Sequence, residues 1–193
     1  GVRHIIYTSV IKPAAQACFA ATPGHFQTEA LIRDSGVPYT FFRNNLYLDI
    51  VPFLFGGALT TGTLTHSGGN GRIGFIARED IAEALAVVLT SEGLLNREYP
   101  ITPSRECYGL PEIAAALGSA TGKSIRYQPA TAGEFRLSLE QAGLPPPAVA
   151  MSVALGDAVR AGEFDLSSPA FANLLGRAPT SLQDFLARPL SKT

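Results

Sequence analysis

Several common sources of function are missing from these 193 residues. Charge of one sign is the first. Fifteen basic and 16 acidic residues leave a formal net charge of −1, too weak a field to hold a polyanion or an anionic bilayer, so neither nucleic acid nor membrane is an expected partner. Cysteine is the second. Cys18 and Cys107 have neither the number nor the spacing of a disulfide framework or zinc cluster, and both read as small filling residues in a reducing compartment. The three histidines, His4, His25 and His66, are scattered, so no metal site is expected. Long apolar runs are absent too: Leu48 to Leu59 is broken by Asp49, Pro52 and a Gly pair, short of the roughly 18 residues of a membrane span. Residues 1–20 lack the basic start and long apolar centre of a signal peptide, which leaves a soluble cytoplasmic protein as the expectation. No Ser-His-Asp order and no pair of carboxylates stands out as a hydrolytic site.

What is present describes a well-buried globular chain, with 46% hydrophobic and 16% charged residues. Runs rich in β-branched and aromatic residues predict strands at Arg3 to Thr8, Tyr39 to Arg43, Gly62 to His66, Ile73 to Ile76, Glu98 to Ile101 and Ser124 to Gln128. Helical periodicity fills the gaps at His25 to Asp34, Arg78 to Glu92, Leu110 to Thr121, Thr131 to Ala142, Pro147 to Ala161 and Thr180 to Ala187. Strands alternating with helices of this length predict an α/β fold built on parallel crossovers.

Four places in the chain could carry chemistry. Ser67-Gly-Gly-Asn-Gly71 is the most glycine-dense, but a phosphate loop should open directly onto a helix, and this one leads into a second strand. It therefore reads as a hairpin turn. Tyr7, Thr8 and Ser9 end the first predicted strand, where open α/β sheets place ligands, and their hydroxyls suit a ribose or an amide; the alternative is a strand-end turn. Arg43, Asn44 and Asn45 end the next strand at the same edge, either as directional donors for a ligand or, for one of the asparagines, as the cap of a helix beginning at Leu46. Tyr47 and Phe53 beyond them are either an aromatic wall over a flat ligand or part of a core. His25 and Glu29 lie four apart on one helix face. Short-chain dehydrogenases place a Tyr and a Lys at such a spacing to protonate a reduced carbonyl; a His/Glu pair cannot reproduce that, but the imidazole could donate a proton or hold a substrate oxygen.

Taken together, Gly1 to Ser9, His25-Phe-Gln-Thr-Glu29, Tyr39-Thr-Phe-Phe-Arg-Asn-Asn-Leu-Tyr47 and Gly176-Arg-Ala-Pro-Thr-Ser-Leu182 resemble the NmrA-like, atypical short-chain dehydrogenase/reductase family, in particular its type 2 NAD(P)H:quinone oxidoreductases and triphenylmethane reductases. The resemblance implies a Rossmann-like NAD(P)-binding parallel sheet, N-terminally truncated, with a smaller, mainly helical substrate lobe. By position, residues 1–48 and 72–102 would be the remainder of the Rossmann-like domain, and 49–71 and 103–193 the lobe. It implies NADPH (NADP) as hydride donor and a small planar electron acceptor such as a quinone, with a homodimer as the possible assembly. Tyr7, Thr8, Ser9, Arg43, Asn44 and Asn45 would then meet the cofactor, Tyr47, Phe53 and His25 the substrate, and His25 is the candidate for catalysis. In the family the Gly-rich fingerprint precedes the position of Gly1, so the expectation is that these residues alone bind NADPH weakly or not at all. The alternative within the family is a dinucleotide-binding redox sensor without turnover.

Overall fold

A computed structural model describes residues 1–91, 93–105 and 107–188. Nine strands occur among them: β1 (Ile5–Val10), β2 (Tyr39–Asn44), β3 (Leu46–Tyr47), β4 (Thr63–His66), β5 (Arg72–Ile73), β6 (Phe75–Ile76), β7 (Arg97–Ile101), β8 (Tyr108–Gly109) and β9 (Arg126–Pro129). The α-helices are α1 (Thr22–Asp34), α2 (Val51–Phe55), α3 (Ala58–Thr61), α4 (Arg78–Thr90), α5 (Leu110–Thr121), α6 (Ala132–Gln141), α7 (Pro146–Arg160), α8 (Ala170–Leu175) and α9 (Leu182–Leu186), with a 3-10 turn at Leu48–Ile50. Glu92, which ends the predicted helix from Arg78, and residues 106 and 189–193, which the predicted lobe included, lie outside the described residues.

The main sheet is parallel with order β1-β2-β7. β1 and β2 run in register from Ile5 opposite Tyr39 to Val10 opposite Asn44, and β2 meets β7 from Thr40 opposite Arg97 to Asn44 opposite Ile101. The central strand is covered on both faces, as a parallel sheet requires, and Phe41 and Phe42 are both fully buried. Phe41 lies edge-on to Tyr7 and stacks on Tyr39 at 4.3 Å, whereas Phe42 joins Ile76, Ile81, Ala84, Val88, Ile101 and Phe171 in a core beneath α4 and α8. Each such ring contributes about 2–3 kcal/mol of burial. The larger core gathers Leu46, Leu48, Phe55, Leu64, Ile73, Phe75 and Phe164 with the inner face of α5.

Most predicted elements recur within a few residues, and the departures have local causes. The predicted strand over Ile73 to Ile76 splits at Gly74, where a side chain would strike Asn45 Nδ2 at 2.5 Å and Thr102 Oγ1 at 2.9 Å. The helix predicted from Leu46 is instead the short strand β3, paired parallel with β6, so neither Asn44 nor Asn45 is a helix cap. Nor is Ser67 to Gly71 a hairpin turn. β4 pairs parallel with β9 and β5 antiparallel with β8, so the turn joins two different small sheets.

Candidate active site at the carboxyl edge of the sheet

β1 and β2 end side by side, so the residues singled out from sequence meet along one edge. Ser9 is in register with Arg43 and Val10 with Asn44. Because strand side chains alternate, the edge has two sides. Tyr7, Ser9 and Arg43 face helix α1, and Asn44 turns to the side of Tyr47. Thr8 is exposed.

On the α1 side, Tyr7 Oη and His25 Nδ1 are 2.7 Å apart, with ring centroids 5.6 Å apart. One turn further along α1, Glu29 is buried and receives Arg43 through Nε at 3.0 Å and Nη2 at 2.6 Å, and Arg33 Nη2 at 2.9 Å. Glu98 on β7 completes the cluster, 2.8 Å from Arg43 and 2.5 Å from Arg33. Burial pushes the Glu29 pKa up, but hydrogen bonding from Arg43 and Arg33 outweighs it and holds the carboxylate below its ordinary range. The Ser9 hydroxyl is near enough to favour that charge, yet makes no formed hydrogen bond and is fully buried. Burial also lowers the pKa of His25, with Glu29 opposing.

On the other side, Asn44 is buried; its Nδ2 reaches Tyr47 Oη only at 3.4 Å and its Oδ1 has no hydrogen-bond partner. The Arg78 guanidinium lies 4.6 Å over the Tyr47 ring. Phe53 on α2 is 72% exposed and joins none of these contacts. The segment leaving β1 is tied to the loop that follows α7: Lys12 Nζ donates to the carbonyls of Gly162 and Asp165, and Glu163 accepts from the Cys18 and Phe19 amides.

Two expected ligand donors are already engaged within the fold. Arg43 is occupied by Glu29 and Glu98, and Asn45 donates from Nδ2 to Thr102 Oγ1 and the Phe164 carbonyl, each at 3.0 Å, while its Oδ1 accepts from the Leu46 amide. The sequence reading missed the Tyr7–His25 contact and the ion-pair cluster; only Glu29–Arg33, at helical spacing, carried a local signal. Cys18 is exposed rather than filling a core, whereas Cys107 is buried and its thiol is pushed up to about 11 by that burial. His66 accepts the Gly68 amide at 3.0 Å.

The glycine-dense turn is explained by packing. A Cβ on Gly71 would lie 2.1 Å from the Val159 carbonyl oxygen, and one on Gly68 2.8 Å from Val159 Cγ1, so helix α7 closes over the turn where a phosphate would need to lie. This turn therefore does not fit the pyrophosphate of a dinucleotide, and the buried polar atom left without a partner at the β2 end of the sheet edge is Asn44 Oδ1.

Parallel β-α-β topology with polar groups gathered at the carboxyl edge defines a Rossmann-like fold, shared with solved NADPH-dependent reductases. No protein-family model matches the sequence. Quinone oxidoreductase 2 of Escherichia coli K12 is 31% identical over 186 residues, which are 95% of this chain and 64% of that protein. Its crystal structure with NADPH superposes with a TM-score of 0.88 at 27% identity, over 96% of this chain and 65% of that one. The Citrobacter sp. triphenylmethane reductase bound to NADP(H) gives 0.85 at 31% identity, over 96% and 64%. NmrA, a negative transcriptional regulator bound to NAD, shares the fold at a TM-score of 0.70 with 14% identity, over 96% and 64%. The chain is thus similar to oxidoreductases that include an NmrA-like one, and it spans less than two thirds of the length of quinone oxidoreductase 2.

Proposed function

We propose that the protein is an NADPH-dependent oxidoreductase that passes hydride to a quinone or a similar flat, conjugated electrophile. The observation carrying this reading is Asn44 Oδ1, a buried polar atom without a hydrogen-bond partner among the described residues, at the carboxyl edge that two adjacent parallel strands share. Native folds seldom leave such atoms without a partner, and a ligand at the edge supplies one. Ser9 and Asn44, with the exposed Thr8, would hold the nicotinamide and its ribose. NADPH, when bound, supplies the hydride.

The chain's own residues align and exclude. Arg43 and Glu29 brace the two strands against α1, so the edge keeps its shape without reorganisation. His25, Tyr47 and Phe53 would face the acceptor, in keeping with an oxidant that takes hydride at an electron-poor conjugated centre. The small planar acceptor and a cytoplasmic setting belong to the same reading; among the described residues no helix is long and apolar enough to cross a membrane.

The redox-sensor alternative has less support. The relatives near 30% identity carry the names of reductases, whereas the regulator NmrA shares the fold at 14%. Loss of reduced-nicotinamide absorbance in the presence of a benzoquinone tests the proposal. Steady turnover supports it; tight NADPH binding without turnover would favour the sensor.

A further inference from the structure

The contact between Tyr7 and His25 joins two proton-carrying groups at this edge. Resting on the reductase reading, we infer that Tyr7 and His25 form a proton relay serving acceptors whose reduction leaves an oxyanion, quinones and conjugated carbonyl compounds, rather than acceptors that need hydride alone.

The geometry restricts what the pair can do. A tyrosine hydroxyl has one hydrogen, and with its oxygen 2.7 Å from His25 Nδ1 it donates to the ring nitrogen in the tautomer that carries its hydrogen on Nε2. A neutral imidazole accepting at Nδ1 carries its own hydrogen on Nε2. His25 Nε2 makes no hydrogen bond among the described residues, so its hydrogen remains available. Phe41, edge-on to Tyr7 with centroids 6.2 Å apart, fixes the phenol ring, and both Tyr7 and His25 are half-buried. Glu29, one turn along α1, faces Arg43 and Arg33. Its negative charge is thereby answered by two guanidinium groups, and burial lowers the pKa of His25.

Proton and electron bookkeeping closes. Two electrons reach the conjugated system with the hydride and leave negative charge on the acceptor oxygen. The Nε2 hydrogen moves to that oxygen as a proton, and Nδ1 takes the Tyr7 proton, leaving a phenolate. Water then protonates Nε2, and Nδ1 returns its proton to the Tyr7 oxygen, so one solvent proton is consumed per turnover. A triphenylmethane cation becomes neutral on accepting hydride at carbon and calls for none of this.

The discriminating experiment compares the wild type with Tyr7→Phe, which keeps the ring on Phe41. NADPH-dependent turnover is measured with a benzoquinone and with a cationic triphenylmethane dye. The quinone-to-dye rate ratio is expected to fall about 100-fold in the variant, in the range for loss of a positioned acid. A second readout needs no turnover: histidine 15N NMR of the unloaded protein should show His25 protonated on Nε2 and accepting on Nδ1. An Nδ1-protonated tautomer, or an unchanged ratio in an active variant, overturns the relay and leaves the reductase reading standing. Wild-type turnover with neither acceptor overturns both.

Discussion

Glu29 on α1 and Arg43 on β2 grip one another through two hydrogen bonds, at 3.0 and 2.6 Å, with only 1% of the Glu29 side chain exposed. A carboxylate so placed is stable only because guanidinium groups surround it, and removing its charge leaves Arg43 with Glu98 alone.

Glu29→Gln is therefore expected to destabilise the fold by about 3 kcal/mol in urea unfolding at neutral pH. The folded Glu29 pKa lies below the ordinary value, so its contribution is full above the unfolded pKa and is lost as pH falls through the folded one. The gap between wild type and variant should narrow in acid; a constant gap would show that shape rather than charge is responsible.

The two adjacent asparagines are expected to separate cleanly. Asn45 makes three good hydrogen bonds in the interior, so Asn45→Ala should lower stability by about 2–3 kcal/mol. Asn44 has one long bond and an unpartnered oxygen. Asn44→Ala should change stability by less than about 1 kcal/mol while raising the KM for NADPH roughly tenfold, the worth of one hydrogen bond. A KM that stays put would remove Asn44 from the cofactor site.

How far the sequence reached follows from the range of each signal. β1, β2, α1, α4 and α5 were legible because alternation, periodicity and a flanking Gly or Pro are local properties. The pairing of β4 with β9 and β5 with β8 was not, because the glycine-rich turn between β4 and β5 looks the same whether or not its flanking strands pair with one another. The edge site was legible as a position and not as a set of contacts. Both strand ends could be placed, but Arg43 is 14 residues from Glu29 and Tyr7 is 18 from His25, separations that no local spacing rule relates.

The Gly68 to Gly71 turn offers a test of packing against phosphate binding. Gly71→Ala would press a methyl group against the Val159 carbonyl on α7, so a loss of about 2–3 kcal/mol in thermal or urea unfolding is expected. NADPH affinity, measured by fluorescence titration of folded variant, should stay within about twofold, less than one hydrogen bond is worth. A specific collapse of affinity would put the turn in the cofactor site.

His66 makes the stability of the chain depend on pH. It is 4% exposed, lies between Phe55 and Phe135 with centroids 5.8 and 4.8 Å away, and accepts the Gly68 amide on Nδ1. Burial, with a smaller push from Arg160, lowers its pKa from 6.5 to about 4. The unfolded chain thus binds a proton that the folded chain refuses, so the stabilising effect of a neutral His66 is complete above the unfolded value and is lost as pH falls from 6.5 towards 4. The loss across that window is about 3 kcal/mol. His66→Gln, which retains an acceptor for Gly68, should flatten most of the dependence in urea unfolding between these limits, with the remainder due to His25, whose pKa is lowered in the same direction. Equal slopes in wild type and variant would mean that His66 takes up its proton without opening the core between Phe55 and Phe135.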